Sequence, residues 1–124
     1  MERVNGIGGV FIAAENPYKL GKWYEEHLGV PLPPATYDEP VWQQQPGPTV
    51  FAFMDAESAH FQGTGRTCSI NFRVDNLAAM IAQLEGAGIA VERDLEEYPN
   101  GVFASLTDPE GNQVQLWESK TPRP

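Results

Sequence analysis

The sequence predicts a mixed α+β domain built from two βαβββ modules. Three observations carry that expectation. The order strand, helix, strands is written twice along the chain. Each helical run follows an alternating, strand-like run, and the later strand candidates are separated by glycine- and proline-rich turns.

The first module begins with "IGGVFIAA", a strand candidate, followed by "NPYKLGKWYEEHLG". Asn16 is a helix N-cap, and Pro17 suits the first turn because its missing N–H has no intrahelical partner to lose. Leu20, Trp23, Tyr24 and Leu28 follow helical spacing, and Gly29 supplies the stop. The second module repeats the scheme with "CSINFRV" and then "DNLAAMIAQLEGAG". Asp75 or Asn76 caps this helix, Leu77, Met80, Ile81 and Leu84 form its apolar stripe, and Gly86 and Gly88 end it. A displacement of 60 residues sets Asn16 on Asn76, Leu20 on Met80 and Val10 on Ile70.

Further strand candidates follow each helix. The first half offers "VWQQQ" and "TVFAFM", the second "AVERDL", "VFASLT" and "QVQLWE". A displacement of 64 sets Val50 on Val114 and Phe53 on Trp117. "DPEGN" reads as a hairpin connection in which Gly111 supplies a positive φ. Residues 1–124 are thus expected to form one domain, with modules at about 5–56 and 66–119. The strands between residues 31 and 48 are the least defined, because proline interrupts them repeatedly.

A chain of 124 residues can bury one core without covalent staples. Its net charge of −9 and lack of a basic stripe exclude a nucleic-acid surface. That charge favours a neutral or cationic ligand, although an acidic surface also simply maintains solubility. No apolar run has the length of a membrane span, the first residues lack the pattern of a secretory signal, and Cys68 is the single cysteine. A cytoplasmic protein without membrane or nucleic-acid partners is expected.

Strand alternation sorts the side chains into two faces. Cys68, Ile70, Phe72 and Val74 should face the helix, as should Val114 and Leu116, making Cys68 a small buried hydrophobe. The opposite face would gather Phe11, Phe51, Phe53 and Trp117 with Ser69, Asn71, Arg73 and Gln115, and Trp42 would join them. These nine residues form the expected ligand-binding set. Such a lining suits a small-molecule pocket, a dimer interface or an open sheet face, and the alternation alone leaves all three open.

With "WYEEHLGV", "VDNLAAMIAQLEGAGI" and "DPEGNQVQLWE" in view, the chain resembles the vicinal oxygen chelate superfamily over nearly its whole length. Glyoxalase I, bleomycin-resistance proteins and extradiol dioxygenases belong to it, and short bacterial glyoxalase-like proteins are the nearest in pattern. The resemblance implies paired βαβββ modules curled around a cavity, often completed by a homodimer. It also implies a divalent metal held by residues of the first and last strands of each module. Those places fall here on Gly9, Phe51, Ser69 and Gln115, a set too poor in donors to hold such an ion. His27 and His60 read as a helix-end and a loop residue, and a site joining His60 to Asp55 or Glu57 is the variant alternative. No nucleophile elbow, P-loop or dinucleotide fingerprint takes the metal's place.

The leading expectation is therefore a metal-independent protein that binds a small organic ligand, uses no cofactor and has no assigned catalytic residue. In it Arg73 would meet a ligand carboxylate or phosphate, and Asn71, Gln115 and Ser69 would orient the ligand. The alternatives are a metal-dependent glyoxalase-like lyase, isomerase or dioxygenase with a variant site, and a structural or regulatory homodimer.

Overall fold

The computed structural model describes residues 1–61 and 65–120. The chain divides into two units, Met1–Leu32 and Pro33–Pro124.

The first unit holds helix α1, Pro17–Leu28. Its start is as the sequence dictates: the Asn16 side-chain oxygen accepts the Lys19 N–H at 3.1 Å, satisfying a donor the first turn leaves open. Gly29 ends the helix in the left-handed region at φ +73°, and the Val30 N–H returns to the Tyr24 carbonyl at 3.2 Å. Leu20 is the buried residue of the helix, and the Trp23 ring meets Tyr24 edge-on with centroids 5.2 Å apart.

The second unit contains a four-stranded sheet and a helix: β1 (Ile70–Arg73), α2 (Leu77–Gly86), β2 (Glu92–Arg93), β3 (Gly101–Thr107) and β4 (Gln113–Ser119). The strand order is β1-β4-β3-β2, with β1 parallel to β4 and the other pairs antiparallel. This is one βαβββ module, and the α+β class stands as expected. Asn76, not Asp75, caps α2 by accepting the Ala79 N–H at 2.9 Å, and the Glu118 carboxylate takes the Leu77 N–H at 2.8 Å. At the other end Gly88 adopts φ +82° while the Ile89 N–H closes on the Leu84 carbonyl at 3.0 Å.

Alternation in β3 and β4 buries Val102, Ala104, Leu106, Val114 and Leu116, which form the core with Leu77 and Leu84 of α2. The "DPEGN" turn is locked by Asp108, which is 4% exposed. Its carboxylate accepts the Glu110 and Asn112 backbone N–H groups at 2.9 Å each and the Asn112 side-chain amide at 2.7 Å. Gly111 takes the φ of +88° that the turn requires.

Two expectations change. Among the described residues, "IGGVFIAA", "VWQQQ" and "TVFAFM" form no strand, so the four-stranded sheet belongs entirely to the second half. Between Gly29 and Thr49 stand Pro31, Pro33, Pro34, Pro40, Pro46 and Pro48, each lacking the N–H that a ladder needs. Cys68 is exposed rather than buried, because β1 begins only at Ile70 and the inside–outside alternation does not extend back to it.

Candidate functional site

Cross-strand registry arranges the sheet face opposite the core in two rows. Arg73 of β1 pairs with Trp117 of β4, Trp117 pairs with Phe103 of β3, and the Asp94 N–H donates to the Phe103 carbonyl at 3.0 Å. The first row therefore runs cation, indole, phenyl, carboxylate. Beside it, Asn71 pairs with Gln115, Gln115 with Ser105, and Ser105 with Glu92. The second row is amide, amide, hydroxyl, carboxylate.

The rings at the centre of the first row pack against one another. Phe103 and Trp117 lie parallel, 2° between planes and 6.0 Å between centroids, and Tyr98 meets Phe103 edge-on at 5.7 Å. The Trp117 indole N–H donates to the Asn100 carbonyl at 2.9 Å. Gly101 permits that approach: at φ +139°, an added Cβ would strike the Glu118 carbonyl and come within 2.7 Å of the indole nitrogen.

Polar groups frame these rings. Tyr98 and Gly101 exchange backbone hydrogen bonds of 3.0 Å, which ties the Tyr98 backbone to the start of β3. The Tyr98 hydroxyl donates to Asp94 Oδ2 at 2.9 Å, and Asp94 Oδ1 accepts the Glu96 N–H at 3.0 Å. That hydrogen bond holds the phenol above its ordinary value, with desolvation and the negative charges of Asp94 and Glu96 acting the same way. Tyr98 therefore stays a neutral donor. Asn71 Nδ2 donates to Gln115 Oε1 at 2.7 Å, which leaves the Gln115 NH₂ group as the donor this residue can offer a ligand.

An open cavity of about 350 Å³ sits on this surface, lined by His60, Asp94, Tyr98, Asn100, Phe103 and Gln115. Its size and mixture of rings and hydrogen-bonding groups suit a small organic molecule. Arg73 stands at the far end of the first row, where its Nη2 donates to the Gln45 carbonyl at 2.9 Å and its buried Nη1 has no hydrogen-bond partner among the described residues.

Of the nine residues the sequence singles out, the sheet brings Asn71, Arg73, Gln115 and Trp117 onto one face. Ser69 is exposed just before β1. Phe51 and Phe53 touch edge-on at 5.6 Å, 77% and 93% exposed, and Trp42 is also exposed; none of the three lines the cavity. Phe11 lies in the first unit, 97% exposed. Sequence reading missed Asp94, Asn100 and Phe103 and gave Tyr98 no place in a pocket. Phe103 had a signal: the hairpin centred on Glu110 sets it opposite Trp117, equally far from the turn.

Of the four expected metal-ligand places, Ser69 and Gln115 carry a side-chain oxygen. Gly9 and Phe51 carry no donor atom, and the one oxygen of the Gln115 side chain already accepts from Asn71. Among the described residues, no three of His, Cys, Asp or Glu come together at ligand distance.

Residues 9–117 match the family model described as a glyoxalase-like domain. The chain belongs to the glyoxalase-like family. Membership in the vicinal oxygen chelate superfamily follows. This glyoxalase-like chain is similar to TnmS3, an antibiotic binding protein from Streptomyces sp. CB03234, at 31% identity over 42% of each chain with a TM-score of 0.39. It is similar also to a glyoxalase/bleomycin resistance protein from the same strain, at 32% identity over 40% of this chain and 43% of that one, with a TM-score of 0.37. These alignments span about two-fifths of each solved chain. No curated protein matches. Among the described residues no helix is long and apolar enough to cross a membrane.

Proposed function

We propose that this glyoxalase-like protein binds a small, planar organic molecule on the open face of its β1-β4-β3-β2 sheet, without a metal and without chemistry. The observation that carries the reading is the fixed aromatic row Tyr98–Phe103–Trp117 beside a cavity that also holds Asp94 and Gln115. The exposed parts of Phe103 and Tyr98 offer ring surface for stacking, and the Gln115 amide N–H groups offer a donor to a ligand carbonyl or ring nitrogen. Asn71 acts on the ligand indirectly, by fixing which end of Gln115 faces it. Metal independence is supported by the donor-poor places at Gly9, Phe51, Ser69 and Gln115, and by the Asn71 hydrogen bond that already engages the Gln115 oxygen. Arg73 extends the site for ligands long enough to reach the other end of the row and carry an acidic group there.

The test is a thermal-shift and tryptophan-fluorescence screen of planar aromatic compounds against the intact chain. Compounds that stabilise the wild type and fail on Phe103→Ala support the reading; a screen in which none binds overturns it. Metal content after incubation with nickel, zinc, manganese and iron(II), then desalting, decides metal independence. Near-stoichiometric metal returns the protein to the metal-dependent lyase or dioxygenase class.

A homodimer is favoured by a separate observation. Phe51 and Phe53 touch edge-on at 5.6 Å while 77% and 93% exposed, a paired apolar ring surface that a second copy would cover. In this reading residues 1–124 act as one cytoplasmic domain whose first-half runs, within about 5–56, are covered by a second copy. Light scattering across a dilution series checks it: a monomer at every concentration removes the dimer and leaves the binding site standing.

A further inference from the structure

We infer that Asp94 is the specificity-determining charge of this pocket, selecting planar aromatic ligands that carry a protonated nitrogen over neutral or anionic ones. The inference rests on the binding function proposed above and names its ligand class.

Four observations carry it. Asp94 is the one carboxylate among the residues lining the cavity, and the Phe103 ring beside it is part of the same lining. Its position is fixed from three sides. Its backbone N–H reaches the Phe103 carbonyl, Oδ1 takes the Glu96 N–H, and Oδ2 takes the Tyr98 hydroxyl. Each carboxylate oxygen retains acceptor capacity beyond these bonds. Tyr98 holds the carboxylate while staying uncharged, so the corner presents one negative charge beside the Phe103 and Tyr98 rings.

The surroundings reinforce the sign. Glu92, two residues before Asp94 on the same face, adds a second carboxylate at the β2 edge. The nearest cation in the row, Arg73, stands three strand positions away, roughly 14 Å at the usual inter-strand spacing, and is tied to the Gln45 carbonyl. His60 is the remaining ionisable side chain of the lining. A flat cation placed here would ion-pair with Asp94 while lying on Phe103, with the Tyr98 ring turned 74° beside it, combining charge pairing with a cation–π contact. An anion in the same place would meet the Asp94 charge, with no lysine or arginine in the lining to offset it.

Three probes of equal shape test this: 2-naphthamidine, 2-naphthamide and 2-naphthoate, titrated against the intact protein by tryptophan fluorescence. The amidine is expected to bind about tenfold tighter than the amide, from partly exposed ion pairing plus cation–π contact, with the naphthoate weakest. Added salt should narrow the gap. In Asp94→Asn, which keeps the oxygen that accepts the Glu96 N–H, the amidine should lose its advantage and bind no tighter than the amide. Tyr98→Phe leaves the charge and loosens it, so the preference should shrink without vanishing. Equal binding of all three probes, or tightest binding of the naphthoate, overturns the inference and leaves the binding function intact. Binding of none sinks both.

Discussion

The two halves of this chain carry the same word order and meet different fates. In the second half, "CSINFRV" and "QVQLWE" lie side by side as β1 and β4, and Leu116 is wholly buried between the sheet and α2. Their first-half counterparts, "IGGVFIAA" and "TVFAFM", stay outside any sheet, with Val10, Phe11, Phe51 and Phe53 exposed. The helices do not differ in this way: Asn16 and Asn76 cap α1 and α2 with the same hydrogen bond. Local signals thus succeed in both halves, whereas long-range pairing succeeds only in one. The second half closes its hairpin through five residues locked by a buried Asp108; the first half must bridge a stretch broken by six prolines. Loop closure and missing backbone donors, rather than side-chain pattern, separate the two.

The largest effects should expose that asymmetry. Gly101→Ala pushes a methyl group into the Glu118 carbonyl and the Trp117 indole, both fixed, and is expected to cost about 4 kcal/mol or to prevent folding. At Gly9 the same methyl meets only the movable Phe11 ring at 3.3 Å, so Gly9→Ala should stay within about 0.5 kcal/mol. Urea denaturation measures both. Leu116→Ala should follow at about 3 kcal/mol, the cost of a cavity in a fully buried core, while Phe53→Ala at 93% exposure should cost close to nothing. Comparable losses at Leu116 and Phe53 would break the comparison, and would mean that a second copy packs the first-half run in solution.

Smaller changes sharpen it. Asp108→Ala strands two backbone donors of the hairpin and should cost about 2 kcal/mol. Asn76→Ala and Asn16→Ala each remove one N-cap bond, about 1 kcal/mol apiece for the helix concerned. Only the first should lower the denaturation midpoint of the sheet, because α2 carries Leu77 and Leu84 of the same core. Hydrogen exchange should report the second as fraying confined to α1. Equal shifts of the global midpoint would show the two units unfolding as one.

Much of this architecture is legible in the sequence, and the reasons are local. Both helices announce themselves by cap, stripe and stop, and "DPEGN" fixes the β3–β4 registry, because a tight hairpin leaves no freedom to slip. Half of the candidate face follows: Asn71, Arg73, Gln115 and Trp117 fall together by alternation alone. Phe103 was available by the same arithmetic, counting back across the turn from Trp117. Asp94 and Tyr98 were not. They meet through a turn after a two-residue strand, and a side-chain bond between residues four apart in an irregular segment leaves no periodic trace. The exposed state of Cys68 was hidden for a related reason, since alternation tells which way a strand residue points but not where the strand begins.

The finest effect lies at that irregular corner. In the folded chain the Tyr98 phenol is raised above its ordinary value, first by its hydrogen bond to Asp94. A group whose folded value is raised contributes its stabilisation in full below the unfolded value and loses it as pH climbs through the folded one. The Tyr98–Asp94 bond should therefore be intact throughout the neutral range and dissolve only in alkali, above pH 10. Phenolate absorbance followed from neutral to strongly alkaline pH should show a late-ionising component assignable to Tyr98. Tyr98→Phe should remove that late step, and Asp94→Asn should move it back toward the ordinary value by deleting the charge that resists ionisation. If the late step survives Asp94→Asn unchanged, the phenol is held by burial rather than by the carboxylate, and Asp94 is too loosely placed to select a ligand.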